Sequence, residues 1–72
     1  MTNEALRKKI GGNIAKIRKE RGFTQSELAK RTGKDRQNIY RLEIGNHNAS
    51  IELLYQISKA LSVPLKDIFD FE

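Results

Sequence analysis

The feature that most constrains the fold of this 72-residue chain is the segment TQSELA at residues 24–29, followed by a glycine at position 33. Thr24 and Glu27 have the spacing of a capping box, in which two side chains satisfy the free amides at a helix start. The small side chain of Ala29 allows a second helix to cross closely, and Gly33 suits the tight turn between the two helices. The segment therefore predicts a helix-turn-helix over about residues 24–44.

Apolar residues recur at helical spacing along the rest of the chain, and no strand-like alternation is present. We expect one all-α domain over residues 1–72, made of five helices. The first covers 3–21, the second follows the Thr24 cap, and the third covers 36–44. The fourth follows a Ser50 cap and ends at 61, and the fifth covers 65–69. The predicted core consists of Ile14, Ile17, Leu28, Ala29, Ile39, Leu42, Leu53, Leu54, Ile57, Leu61 and Ile68.

Two glycines, Gly11 and Gly12, lie inside the first helix, where each costs about 1 kcal/mol relative to alanine. Either the first turns of this helix fray, or Gly11 permits a close helix crossing. The sequence leaves both interpretations open.

Positive charge is concentrated in the first part of the chain. Residues 1–41 contain twelve Lys or Arg and four acids, whereas residues 42–72 contain two bases and five acids. This asymmetry suggests one face that meets a polyanion. The alternative is that these charges form a solvated surface without a binding function. The same alternative holds for the cluster of Arg7, Lys8 and Lys9.

Several classes of protein are disfavoured by what the sequence lacks. It contains no cysteine and a single histidine, His47, so disulfides, thiolate metal sites and His-based catalytic pairs are not expected. Its amino terminus is polar and no apolar run could span a bilayer, which predicts a cytoplasmic protein. Gly11 and Gly12 lack the spacing of a phosphate-binding loop. We expect no enzyme, no cofactor and no small-molecule ligand.

The predicted third helix separates polar from apolar side chains. At 100° per residue, Arg36, Gln37 and Arg41 fall within about 140° of each other, and Ile39 and Leu42 fall on the opposite side. A helix that packs on a core and projects into a DNA groove requires this division. A purely structural amphipathic helix has the same division of side chains. The capped helix and the glycine turn before it favour a helix that recognises DNA.

The chain resembles the phage repressor and Cro type of helix-turn-helix domain, the XRE-like family with a lambda-repressor-like fold. The resemblance rests on matching segments in a fixed order and covers nearly the whole length. These segments are IAKIR at 14–18, FTQSELA at 23–29, IYRLEIG at 39–45, SIE at 50–52 and ISKALSV at 57–63, with Ile68 beyond them.

The resemblance implies roles for individual residues. Arg36, Gln37 and Arg41 match base-contacting positions, and Gln25 matches a glutamine that holds a phosphate and braces Arg36. Arg18 and Glu43 match a largely buried structural ion pair, whose loss strands a charge. Phosphate-contacting or supporting roles are assigned to Asn38, Tyr40, Asn46 and Asn48. For Tyr40, a position across the helix surface without DNA contact is the alternative.

Two positions and one loop segment depart from the family pattern. Lys34 and Thr32 replace smaller or aliphatic residues in the turn, which predicts a looser or wetter turn. The segment NHNA at 46–49 lacks the cations common in this loop, which reduces its expected share of phosphate binding; for His47 an exposed position without function is favoured.

The carboxy-terminal helices, at about residues 50–69, contain more apolar surface than a small monomer should expose. Similar proteins dimerise through this region. We therefore expect a homodimer surface formed by Ile51, Tyr55, Leu65, Phe69 and Phe71. The alternative is that Phe69 and Phe71 fold back onto the core.

The sequence thus predicts a transcriptional regulator, a repressor or controller in a bacterial or phage context, that binds double-stranded DNA as a dimer on an inverted repeat. The alternative is a protein-interaction module such as an antitoxin, although little chain remains beyond Phe71 to wrap a partner.

Overall fold

A computed structural model describes residues 1–71 as an assembly of five α-helices without strands. The helices are α1 (Asn3–Glu20), α2 (Gln25–Thr32), α3 (Arg36–Glu43), α4 (Ile51–Ala60) and α5 (Leu65–Ile68). The all-α prediction is confirmed. Four helices end one residue earlier than predicted, because the expected last residues Arg21, Ile44, Leu61 and Phe69 are C-caps. The predicted boundary at Glu72 lies outside the described residues.

The start of α2 has the predicted capping box. The Thr24 hydroxyl accepts a hydrogen bond of 3.1 Å from the Glu27 amide, and the Thr24 amide donates one of 2.9 Å to the Glu27 carboxylate. Asp35 caps α3 and Ser50 caps α4 through one bond each, accepted from the amides of Asn38 at 2.8 Å and Leu53 at 3.0 Å. Gly33 adopts φ 68° after α2, a left-handed conformation that side chains with a Cβ disfavour. Local chemistry therefore defines where the two helices of the motif begin and how they are joined.

The hydrophobic core consists of the eleven predicted residues, all of them buried. Thr32 is also buried, and its hydroxyl donates to the carbonyl oxygens of Leu28 and Ala29 at 2.9 and 3.2 Å. The expectation of a wetter turn is therefore wrong for Thr32, since the polar atom is satisfied inside α2.

Helices α1 and α3 cross at Gly11. A methyl group at this position would overlap the carbonyl oxygen of Leu42 and lie 2.8 Å from that of Glu43. Gly12, in contrast, is exposed with open space around it. Of the two interpretations for these glycines, close packing is correct for Gly11, and α1 is helical from Asn3 onwards.

Helix α5 is attached to α1 by a polar contact. The Asn13 amide nitrogen lies 2.7 Å from the carbonyl oxygen of Asp67 and 2.9 Å from that of Ile68. These carbonyls belong to the last turn of a four-residue helix, where the Asp67 oxygen also accepts a hydrogen bond of 3.2 Å from the Asp70 amide. Asn13 thereby holds α5 in position beside α1.

Candidate nucleic-acid interface

Helix α3 presents one polar face to solvent. Arg36, Gln37 and Arg41 are exposed, whereas Ile39 and Leu42 are buried in the core. The two buried residues fasten the helix to the domain and leave its opposite side unobstructed. An α-helix is about 10–12 Å across with its side chains, close to the roughly 12 Å width of the DNA major groove. This face therefore has the shape and chemistry for contact with base edges.

The residues assigned supporting roles lie on α3 and in the segment after it. Tyr40 is exposed on α3, and Asn46 and Asn48 are exposed in the segment that follows it. Asn38 is half-buried, and its backbone amide donates 2.8 Å to the Asp35 carboxylate that caps the helix. Tyr40, Asn46 and Asn48 are thus accessible to a ligand, with Asn48 beside Arg7 in a groove, while Asn38 contributes at least its amide to the fold.

An ion pair lies beneath the interface. The Arg18 Nε atom donates 2.6 Å to Glu43 Oε2, and its Nη2 donates 3.0 Å to Oε1. The third nitrogen, Nη1, donates 2.7 Å to the carbonyl oxygen of Phe23. Both side chains are at least nine-tenths buried. This two-pronged geometry joins α1 to the end of α3 and leaves neither charge unpaired.

Gln25 connects this ion pair to the exposed face. Its Nε2 atom donates 2.9 Å to Glu43 Oε1, and its Oε1 atom accepts 3.0 Å from the Arg36 Nη1 atom. The two partners determine the orientation of the amide, because Glu43 can only accept and Arg36 can only donate. A continuous chain of hydrogen bonds therefore runs from the buried Arg18 to the exposed Arg36.

The contact between Gln25 and Glu43 did not emerge from the sequence. The two residues lie on different helices, 18 positions apart, and neither forms a local motif with the other. Only the way in which α2 crosses α3 brings them together.

One carboxyl group near the interface has a displaced pKa. Hydrogen bonds from the Thr24 amide and hydroxyl hold the pKa of Glu27 below its ordinary value, with a smaller contribution from Arg31. Arg31 itself lies over the Phe23 ring, 4.7 Å from its centroid. Glu27 is therefore ionised at neutral pH, which suits its place at the amino end of α2.

The carboxy-terminal apolar side chains are only partly covered. Ile51 is 71% exposed, Tyr55 51% and Phe69 44%, whereas Leu65 packs against the core and Phe71 is half-buried. Lys59 lies 5.5 Å from the centroid of the Tyr55 ring. Phe71 is therefore more covered than Phe69, and the homodimer surface stays a prediction.

Leu6 belongs to the same surface, which the sequence did not indicate. It was not among the predicted core residues, and it is 38% exposed near the start of α1. Leu6, Ile51 and Phe69 line a groove of about 310 Å³ together with Ile10 and Leu54.

Other kinds of site have no support in the part of the chain described. Over residues 1–71, no group of three or more acidic or histidine side chains is placed to hold a metal ion. None of the five helices is long and apolar enough to pass through a membrane.

A capped helix, a glycine turn and a second helix with an exposed basic face together define a helix-turn-helix domain of the DNA-binding class. The helix-turn-helix (HTH_3) family model matches residues 14–68, and the chain belongs to this family of transcriptional regulators, which are not enzymes.

Similar proteins come from bacteria and archaea. An uncharacterized HTH-type transcriptional regulator, y4dJ of Sinorhizobium fredii, is 40% identical over 81% of this chain and 75% of its own length. Another from Methanothermobacter thermautotrophicus is 46% identical over 78% of this chain and 83% of its own. Among solved structures, the restriction-modification controller protein C.AhdI from Aeromonas hydrophila superposes with a TM-score of 0.91. It has 26% sequence identity and covers 96% of this chain and 100% of its own.

Proposed function

We propose that this transcriptional regulator recognises a specific double-stranded DNA sequence through α3, with Arg36, Gln37 and Arg41 on base edges. The observation that carries the proposal is the hydrogen bond that holds Arg36 to Gln25 in the free protein. A long arginine loses much side-chain entropy when it binds, and a side chain already held in place loses less. Arginine and glutamine also match the major-groove patterns of guanine and adenine, respectively.

The supporting residues would contact the DNA backbone. Gln25 at the start of α2 retains an amide hydrogen beyond the one given to Glu43, and α2 also directs free amides outward at this end. Tyr40, Asn46 and Asn48 are exposed around α3 and can donate to phosphate oxygens. Such contacts set the position of the protein without selecting a sequence.

The experiment is a binding titration against a preferred site and a set of single-base variants of it. Alanine at Arg36, Gln37 or Arg41 should each cost about 1–3 kcal/mol on the preferred site and relax selectivity at one or two base pairs. Unchanged binding by three folded variants would place the recognition surface elsewhere.

We further propose that two copies pair through the surface of Ile51, Tyr55, Leu65, Phe69 and Phe71. Exposed apolar area of this kind favours association, and a second copy around a two-fold axis would cover the groove beside Ile51 and Phe69 on both chains. The restriction-modification controller likeness suggests a comparable regulatory role. The site would then be an inverted repeat whose half-site centres lie about 10 bp, or roughly 34 Å, apart.

The dimer is tested by two measurements, the oligomeric state in analytical ultracentrifugation and the effect on DNA binding of changing the distance between half-sites. Serine at Phe69 and Phe71 should give a folded monomer with weak half-site affinity. Five base pairs inserted between the half-sites should abolish tight binding by turning one half to the other side of the duplex. A wild-type protein that is a monomer and binds one half-site as tightly as two would contradict the proposed dimer. It would not contradict the proposal that α3 contacts bases.

A further inference from the structure

The segment that follows the recognition helix contains no cation. Residues 44–50 read IGNHNAS, with no Lys or Arg among them. A helix seated in the major groove has a sugar-phosphate ridge on either side, so the chain that leaves α3 passes close to phosphates. Positive charge at this point therefore has to come from another element.

Helix α1 places two cations against this segment. The Lys8 backbone packs on Gly45, where a methyl group would lie 2.7 Å from the Lys8 Cα atom and 2.5 Å from its Cγ. Arg7, one residue earlier, lines the groove that His47 and Asn48 border. Gly45 makes this approach possible, because its lack of a side chain and its φ of 81° let the two segments touch.

The two side chains differ in their freedom. Lys8 is exposed, so its ammonium group can extend past Gly45, whereas Arg7 is half-buried and lines the same groove as His47 and Asn48. Both lie beyond the first turn of α1, which begins at Asn3. A cation at Lys8 also faces the carboxyl end of α3, whose dipole it offsets. If Lys8 acted only on this dipole, its substitution would change the stability of the fold and leave the salt dependence of DNA binding unchanged.

We propose that Arg7 and Lys8 form a second phosphate-binding surface, which neutralises the DNA backbone beside the end of α3 in place of the uncharged loop. This inference rests on the proposed function, since it assumes that α3 lies in the major groove. The partner is the phosphate backbone of the same DNA molecule, recognised by charge and without regard to base sequence.

The test compares the salt dependence of DNA binding for the wild-type protein and three variants. The double variant Arg7→Gln with Lys8→Gln removes both charges but keeps long side chains of good helix propensity. Lys19→Gln removes an exposed charge in the last turn of α1, at the other end of that helix, and Lys8→Arg retains the charge at position 8. Thermal unfolding followed by circular dichroism verifies that each variant is folded.

The logarithm of the DNA-binding constant falls linearly with the logarithm of salt concentration. We expect the double variant to lower the magnitude of this slope by about 1–2, at roughly 0.9 per lost phosphate contact. Its affinity should fall equally on preferred and mismatched sites, while Lys19→Gln and Lys8→Arg keep the wild-type slope. An unchanged slope in a folded double variant, or an equal loss in Lys19→Gln, would overturn the inference. A wild-type protein with no sequence preference would instead contradict the proposed function.

Discussion

Gln25 and Arg36 meet across the turn of the motif, with the Gln25 Oε1 atom 3.0 Å from the Arg36 guanidinium. Gln25 is in turn held by Glu43, so the position of an exposed side chain depends on a buried carboxylate. If this link prepares Arg36 for DNA, alanine at either residue removes the same interaction. The losses in binding free energy should then be less than additive.

A double-mutant cycle measures this coupling. We expect Gln25→Ala and Arg36→Ala to show an interaction energy within the range of about 0.5–3 kcal/mol seen for contacting residues. The remaining part of the Gln25 effect, from phosphate contact, should be equal on all DNA sequences. Gln25 and Arg41 form the control pair, and coupling no greater than in that pair would contradict the bracing role.

The Arg18–Glu43 ion pair should be costly to break from one side. Arg18→Met leaves Glu43 buried with only Gln25 as a hydrogen-bond donor, and we expect a loss of about 3–5 kcal/mol in the free energy of unfolding. Replacing both residues by Met and Leu should recover much of the loss. Urea denaturation measures it, with Lys19→Met as an exposed control that changes stability by about 0.5 kcal/mol or less. Equal effects at 18 and 19 would refute a structural role for the pair.

Neighbouring glycines should respond to alanine with opposite signs. At Gly11 the added methyl meets the backbone of α3, which cannot shift cheaply, so Gly11→Ala should destabilise the fold by about 1–3 kcal/mol or more. At Gly12 nothing lies within 4 Å, and alanine should stabilise α1 by up to about 1 kcal/mol. Thermal unfolding of the two variants decides the matter. Stabilisation at both positions would mean that α1 and α3 are not in close contact.

The Gln25–Arg36 and Arg18–Glu43 contacts were implied by the family resemblance and not by a local pattern, and both are present in the structure. The helix starts at Thr24 and Asp35 could be predicted because a cap depends on residues three positions apart. The core could be predicted because helical periodicity selects the inward positions. The contacts of Asn13 with α5, and of Gln25 with Glu43, could not, since they depend on how helices cross. The groove that Leu6 shares with Ile51 and Phe69 could not be predicted for a similar reason, since it joins residues of separate elements.

The capping box should make stability depend on pH in the acid range. Folding lowers the pKa of Glu27, so its contribution is complete above the ordinary carboxyl value of about 4.3 and is lost as pH falls through the lower folded value. Thr24→Val removes the hydroxyl and should raise this pKa toward the ordinary value. NMR titration of the Glu27 carboxyl in both proteins measures the change, and identical titration curves would show that the hydroxyl does not contribute.

The central claim is that α3 reads DNA sequence through Arg36, Gln37 and Arg41. Selection of bound duplexes from a random pool, carried out in parallel with wild-type protein and the Arg36→Ala variant, tests it most directly. The wild type should enrich two inverted half-sites with centres about 10 bp apart, and the variant should lose the preference at one or two matching positions in each half. A pool that remains random with wild-type protein, or an identical motif with the folded variant, would contradict it.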